Sequence, residues 1–297
     1  MSSETPFADR LIAATRAVGP LCVGLDPYPE RIPALFGPPG AEAIRRFCFG
    51  VLDAAKGRVG IVKPQAALFE RFGPAGYQVL ADVCAKAKAL GFVVILDAKR
   101  GDIGATGAGY AKAFLGPDPA IGVDCVTVSP YMGRDSIEPF VAAAEATHKG
   151  VAVLARTSNP GAADLQGLMI NGRPLYERTV EMLAPFIERL DTGKTGFSSL
   201  MMVVGATAPE EARAIRALAP KALFLTPGYG AQGAGAAEAL SGYATGPNGL
   251  EGGVVSASRS VLYPEGGGDA GDEDAWSEII ASAVDAAQAD LQTAANA

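Results

Sequence analysis

Val93-Val94-Ile95-Leu96-Asp97-Ala98-Lys99-Arg100-Gly101-Asp102 runs from four apolar residues straight into a carboxylate, a lysine and a second carboxylate. The apolar half reads as a buried strand. Side chains alternate along a strand, so Asp97 and Lys99 are expected on the same side, one step apart. Charges at the end of a hydrophobic strand are costly unless they pair or do chemistry. A cation held between two anions suits a reaction that stabilises a carbanion and then protonates it.

Outward from this run the chain repeats one beat. Short β-rich runs fall at residues 21–25, 59–63, 93–97, 123–128, 151–155, 201–205, 222–226 and 253–256. Alanine-rich amphipathic segments separate them, as at 41–56, 75–90, 135–147, 175–190, 209–218 and 273–292. Eight strand signals with intervening helices predict a single (β/α)8 TIM barrel over residues 1–297. A doubly wound open sheet is the competing α/β architecture, but the GxGxxG fingerprint after a first strand is missing. Two βα connections are long, 157–172 and the glycine-rich 227–252, the second with a short helix expected at 236–240. Such loops on a barrel are expected over the active site. The acidic, glycine-rich segment after Tyr263 carries no assigned function.

Composition narrows the classes. The 297 residues are 49% hydrophobic, enough for a full core. Net charge is −7 with no basic stripe, which argues against a nucleic-acid partner. An anionic substrate must then be captured by local cations and backbone amides. Cys22, Cys48, Cys84 and Cys125 form no CxxC pair and read as small core residues in a reducing compartment. Residues 1–16, with Asp9 and Arg10, hold no signal-length apolar stretch, and no segment has membrane-span length. A cytoplasmic location is expected.

Catalytic groups in a barrel come from the C-terminal strand ends and the loops beyond them. Asp26 ends the first run, Lys63 the second, Asp97 and Lys99 the third, Ser129 the fourth and Arg156 the fifth; Arg259 follows the eighth. One such residue reads as a surface pair or strand terminator. The same end of strand after strand does not. Gly228, Gly230, Gln232 and Arg259 lie after strands seven and eight, where barrels bind phosphate, and offer amides and a guanidinium fork. His148 closes a helical stretch and reads as a dipole partner, which leaves Ser/His/Asp hydrolysis without a base. No cofactor signature and no metal-ligand spacing is present.

The segment Asp97-Ala98-Lys99-Arg100-Gly101-Asp102-Ile103, continuing to Thr106, resembles the DxKxxD-I-xx-T signature of orotidine 5′-phosphate decarboxylases. Cys22-Val23-Gly24-Leu25-Asp26-Pro27 is similar to their first-strand motif, and Val62-Lys63-Pro64-Gln65 to the second. Thr226-Pro227-Gly228-Tyr229-Gly230-Ala231-Gln232-Gly233 resembles the phosphate loop, and Ser258-Arg259-Ser260 the last element. The match spans residues 21–263. Arg156-Thr157-Ser158-Asn159-Pro160-Gly161 and the length resemble the longer bacterial branch, with Ser158 and Asn159 on the fifth loop. Ser258 departs from the glycine that many members carry, so backbone approach to a phosphate differs there.

The resemblance implies cofactor-independent decarboxylation of orotidine 5′-phosphate to UMP, the last step of de novo UMP synthesis. Loss of carbon dioxide from C6 leaves an electron pair in the ring plane, where the π system delocalises it poorly. Lys99 is the expected cation and proton donor, and Asp97 the group that holds the ammonium and sustains its pKa. Lys63 completes an alternating array, Lys63–Asp97–Lys99–Asp102. In the family the second aspartate reaches in from a neighbouring subunit, so a homodimer with shared active sites is implied. Asp26 and Thr106 resemble the ribose-hydroxyl ligands and Ser129 the reader of the pyrimidine edge. Two alternatives stay open: a magnesium-dependent sugar-phosphate decarboxylase or aldolase on the same barrel, including a Schiff-base variant, and a non-catalytic phosphometabolite-binding barrel. The first needs hard carboxylate ligands where this chain has Lys63. The second leaves the Asp97/Lys99 pair unexplained.

Overall fold

The structure, a computed structural model, describes residues 5–230 and 232–297; Ala231 of the glycine-rich run lies outside them. Eight parallel strands close into a barrel: β1 (Leu21–Leu25), β2 (Ile61–Pro64), β3 (Val93–Arg100), β4 (Cys125–Val128), β5 (Gly150–Arg156), β6 (Ser198–Val204), β7 (Ala222–Pro227) and β8 (Gly253–Ala257). Each pairs with the next in chain order, and β8 pairs with β1. The helices are α1 (Phe7–Val18), α2 (Ala41–Ala55), α3 (Ala66–Glu70), α4 (Gly73–Ala89), α5 (Gly104–Leu115), α6 (Arg134–Thr147), α7 (Ala162–Leu165), α8 (Leu175–Arg189), α9 (Pro209–Leu218), α10 (Ala236–Ala239), α11 (Arg259–Leu262) and α12 (Glu273–Ala295). The periodicity reading missed α5, whose Gly104, Gly107 and Gly109 are poor helix formers. Packing overrides propensity there: a Cβ on Gly107 would lie 2.6 Å from the Asp102 carbonyl and 3.4 Å from Pro139 of α6.

Strand alternation separates two cores. Leu21, Val23, Val62, Val94, Leu96, Val126, Val151 and Val153 pack outward against the helices. Cys22, Ile61, Val93, Ile95, Cys125, Ala152, Met201, Leu223 and Val254 fill the barrel interior. Continuing each inward series one step toward the C-terminal end reaches Lys63, Asp97, Thr127, Leu154, Val203, Leu225 and Ser256. These seven form the floor of one cavity. Simple alternation stops on β3: Leu96 pairs with Val126 and Arg100 with Val128, so β3 takes four steps where β4 takes two. The extra length is a bulge, with Lys99 in the left-handed region at φ 46°. Lys99 thus reaches Asp97 through a bulge and not through the two-residue strand repeat expected from the sequence.

The long loops differ in what they do. Residues 157–172 contain α7 and half of a small hairpin, Met169–Ile170 with Arg173–Pro174, and their Thr157, Ser158, Asn159 and Gln166 line the cavity. Of the described residues in 227–252, only Pro227, Gly228, Tyr229 and Gln232 do so. After α10 the chain runs to the opposite end of the barrel, where the hairpin Ala244–Gly246/Gly249–Glu251 meets α1 through Arg16 and Glu251 at 2.8 Å. Arg216 fastens this return, donating to the carbonyls of Gly242 (2.7 Å), Ala222 (2.6 Å) and Gly252 (3.1 Å). Much of the expected lid is therefore the return path that replaces a full seventh helix.

The N-terminal end of the barrel is plugged by α1, a helix that the sequence reading did not mark. Phe7, Ala8, Leu11 and Ile12 of its buried face join the interior core. Asp9 ties the plug to the loop before β6, accepting from the Lys194 and Thr195 amides and the Thr195 hydroxyl at 2.8–3.0 Å. Gly150 opens β5 because a Cβ there would sit 2.4 Å from the Phe7 ring. Phe7→Ala is expected to destabilise the fold by about 3–5 kcal/mol, the range for emptying a buried aromatic site. Equilibrium urea denaturation measures it; a loss under about 1 kcal/mol would mean that the plug does not complete the core.

Candidate active site

A cavity of about 790 Å³ opens at the C-terminal end of the strands. Its charged centre is the Asp97 carboxylate, 8% exposed, which receives four donors. Lys99 Nζ (2.6 Å) and Thr127 Oγ1 (3.1 Å) donate to Oδ1. Lys63 Nζ (3.1 Å) and Gln65 Nε2 (3.0 Å) donate to Oδ2. A carboxylate has about four lone-pair sites, so all of Asp97's are occupied. Among the described residues no three His, Cys, Asp or Glu side chains cluster as a metal site. The donors around Asp97 are two ammoniums, one hydroxyl and one carboxamide, the opposite of the carboxylate set a hard cation needs.

Burial and charge oppose each other here, and charge wins. Burial alone would raise the Asp97 pKa, but the Lys63 and Lys99 ammoniums hold it well below the usual carboxylate range. Burial alone would lower Lys63, yet Asp97 and Asp26 lift it above the ordinary lysine value. Both Lys63 and Asp97 therefore stay ionised at neutral pH. Lys63 is enclosed, whereas the Lys99 side chain is 48% exposed and faces open space beside Asp97.

The walls come from four further loops. After β1, Asp26 lines the cavity, and its Oδ1 is buried with no hydrogen-bond partner among the described residues. Tyr263 fixes that segment: its hydroxyl accepts from the Tyr28 amide (2.7 Å) and donates to the Asp26 carbonyl (2.9 Å). After β5, Thr157 and Gln166 bond reciprocally, amide to Oε1 and Nε2 to Oγ1, both at 2.8 Å, and so present Ser158 and Asn159. After β7 and β8, Gly228, Gln232, Ser258 and Arg259 form the remaining side. Ser258 fits because Gly24 has no side chain; a Cβ at Gly24 would lie 2.0 Å from its Oγ.

The residues named from the sequence divide into two groups. Lys63, Asp97, Lys99, Asp26, Gln232 and Arg259 meet at this cavity. Asp102, Thr106 and Ser129 are not among its lining residues. Asp102 Oδ1 accepts from the neighbouring Ile103 amide (2.8 Å), Thr106 is exposed on α5, and the Ser129 amide donates to the Arg100 carbonyl (2.8 Å). Gly230 also falls outside, and its N–H is taken by the Ala234 carbonyl (2.8 Å); Gly228 is the loop glycine on the cavity. Arg156 turns to Glu211 on α9. The sequence reading assigned no role to Thr127, yet a hydroxyl between Val126 and Val128 at an inward position was the available signal.

Residues 19–263 match the family described as Orotidine 5′-phosphate decarboxylase / HUMPS. The chain is 40% identical over 295 residues to the orotidine 5′-phosphate decarboxylase of Rhodopirellula baltica, covering 94% of this chain and 96% of that one. It is 41% identical over 246 residues to the Deinococcus radiodurans enzyme of the same name, covering 83% and 85% of the two chains. The solved Leishmania donovani OMP decarboxylase superposes with a TM-score of 0.72 at 32% identity, over 96% of this chain and 99% of that one. The chain belongs to the orotidine 5′-phosphate decarboxylase / HUMPS family.

Proposed function

We propose that this chain decarboxylates orotidine 5′-phosphate to UMP, the closing step of de novo UMP synthesis, with Lys99 stabilising and protonating C6. The observation that carries the mechanism is the Lys63–Asp97–Lys99 row, in which one carboxylate holds two ammoniums and only Lys99 faces open cavity. The C6–carboxylate bond breaks, its electron pair remains on C6, and carbon dioxide leaves. The Lys99 ammonium meets that pair with positive charge already in place and then transfers a proton to C6. Solvent restores the proton to Lys99. Asp97 keeps the Lys99 side chain aimed, holding its Nζ at 2.6 Å from Oδ1.

Binding groups surround this row. Arg259 and Gln232 hold the phosphate beside Gly228, and the unpartnered Asp26 oxygen takes a ribose hydroxyl. Ser158, which lines the cavity, reads the pyrimidine edge in place of Ser129. A magnesium-dependent reaction would need several free carboxylate oxygens together; those of Asp97 are all taken, and among the described residues no three His, Cys, Asp or Glu side chains gather around Asp26 or elsewhere as a metal site. A Schiff-base lysine works best with a depressed pKa, and Lys63 is raised. Turnover of orotidine 5′-phosphate in chelator, followed by absorbance, tests the assignment; activity that appears only with added magnesium would overturn it.

Asp102 and Thr106 serve a second copy of the chain in this reading. They lie outside their own cavity, and large side chains of the β3 and β4 loops are uncovered: Ile103, next to Asp102, is 54% exposed, and Tyr131, next to Met132, is 81% exposed. Met132 packs toward Gly101, joining the β3 and β4 loops into one surface. A two-fold dimer across this surface would cover it and carry Asp102 and Thr106 to the partner's cavity. The cytoplasm suits four buried, unpaired cysteines, and among the described residues no helix is long and apolar enough to cross a membrane.

Lys99→Ala is expected to leave a folded protein whose kcat falls at least about 10³-fold, since cation and proton donor go together. Near-native kcat would remove Lys99 from the chemistry. Arg259→Ala should lower kcat/KM by about 10–100-fold, the worth of a charged hydrogen-bonded contact, mostly through KM. Unchanged kcat/KM would put the phosphate elsewhere. Lys99→Ala and Asp102→Ala homodimers should each be inactive, but co-refolding them should recover activity in about a quarter of sites, because half the dimers are mixed and each has one intact site. Subunit exchange without recovery would return Asp102 to its own chain.

A further inference from the structure

The bulge in β3 releases two amides from the sheet. Between Leu96 and Arg100, the Ala98 and Lys99 N–H groups both donate to Thr127 Oγ1, at 3.0 and 2.8 Å. The same hydroxyl donates its own proton to Asp97 Oδ1 at 3.1 Å. A threonine hydroxyl has one donor and two acceptor sites, so this one is used completely. Thr127 is 1% exposed, fixed on the rigid β4 strand with Cys125 inward beneath it. Lys99 sits in a left-handed conformation that a lysine adopts only when its surroundings enforce it. Thr127 supplies that enforcement at one atom.

We propose that Thr127 is a positioning residue for the decarboxylation, its hydroxyl locking the β3 bulge and the Asp97 carboxylate in one arrangement. The inference rests on the assignment of Lys99 as proton donor. During turnover the Lys99 ammonium must shift from Asp97 toward C6. Asp97 Oδ1 then loses its cation while Oδ2 keeps Lys63, and the carboxylate would be free to turn about the Lys63 contact. Two neutral donors prevent this: Thr127 on Oδ1 and Gln65 on Oδ2. Neither competes as a cation or a proton source, so Lys99 can leave Asp97 without Asp97 moving. The backbone bonds to Oγ1 meanwhile hold the Lys99 main chain, which sets where Nζ can reach.

Thr127→Val keeps the shape and removes the hydroxyl; Thr127→Ser keeps the hydroxyl and removes the methyl. The valine variant is expected to lose about 100-fold in kcat with KM within about threefold, the size of effect that follows misplacement by about an ångström. The serine variant is expected to stay within about threefold of the unmodified protein in both constants. A purely structural threonine would lower the thermal midpoint of the valine variant and leave kcat per folded site alone, and that result overturns the proposal. Serine losing as much as valine also overturns it, because the methyl would then be responsible. If valine does not fold, Thr127→Cys, with a weakly bonding thiol of similar size, is read by the same criteria. Turnover by the unmodified protein and the Lys99→Ala variant judge the mechanism itself, so the two failures are distinguishable.

Discussion

One carboxylate organises the mouth of this barrel. Asp97 receives donors from β2, from the residue after it, from β3 and from β4. Without it, the enclosed Lys63 ammonium would face several kcal/mol of desolvation with no anion beside it, and the half-exposed Lys99 would stand near it as a like charge. With it, two ammoniums stand within hydrogen-bond reach of one anion, and the three groups that one chain contributes keep a net positive charge. That surplus suits the stabilisation of a developing carbanion, since the charge is in position before any reaction begins.

The apolar barrel below makes this charge effective. Inward side chains and the α1 plug close the interior from the opposite end, so the row rests on an apolar layer. Low local polarity strengthens each hydrogen bond to Asp97 and penalises any arrangement that leaves one unmade. Fold and site are thereby coupled: the alternation that fills the interior also presents Lys63, Asp97 and Thr127 inward, one layer higher.

The connecting loops follow a common plan, in which the part touching the cavity is short and pinned. Tyr263, stacked on Phe47 with ring centroids 5.6 Å apart, anchors the β1 loop. The Thr157–Gln166 pair anchors the β5 loop. Beyond α10, the rest of the seventh connection is secured at the far end of the barrel by Arg216. Sequence length alone therefore overstates how much chain covers the site.

The amino-acid sequence by itself determined the barrel and the charged row. Apolar runs of strand length recur between amphipathic helices, and Lys63, Asp97, Lys99 and Arg259 each follow such a run, so local pattern sufficed. Element ends were legible within a few residues because alternation and helical periodicity stop where the polar turns begin. The glycine-rich α5 and the plug α1 were not, since packing partners distant in sequence decide them: Pro139 beside Gly107, and the barrel interior beneath Phe7. Tertiary structure alone decided which polar residues meet. Of the two loop glycines named from the sequence it kept Gly228 on the cavity and tied the Gly230 amide to Ala234, it brought Ser158 to the cavity and not Ser129, and it left Asp102 and Thr106 outside the cavity. It also revealed Thr127. A bulge is an error in register between two strands, and neither strand's sequence states the register; only their pairing places that hydroxyl against the two amides that the bulge sets free.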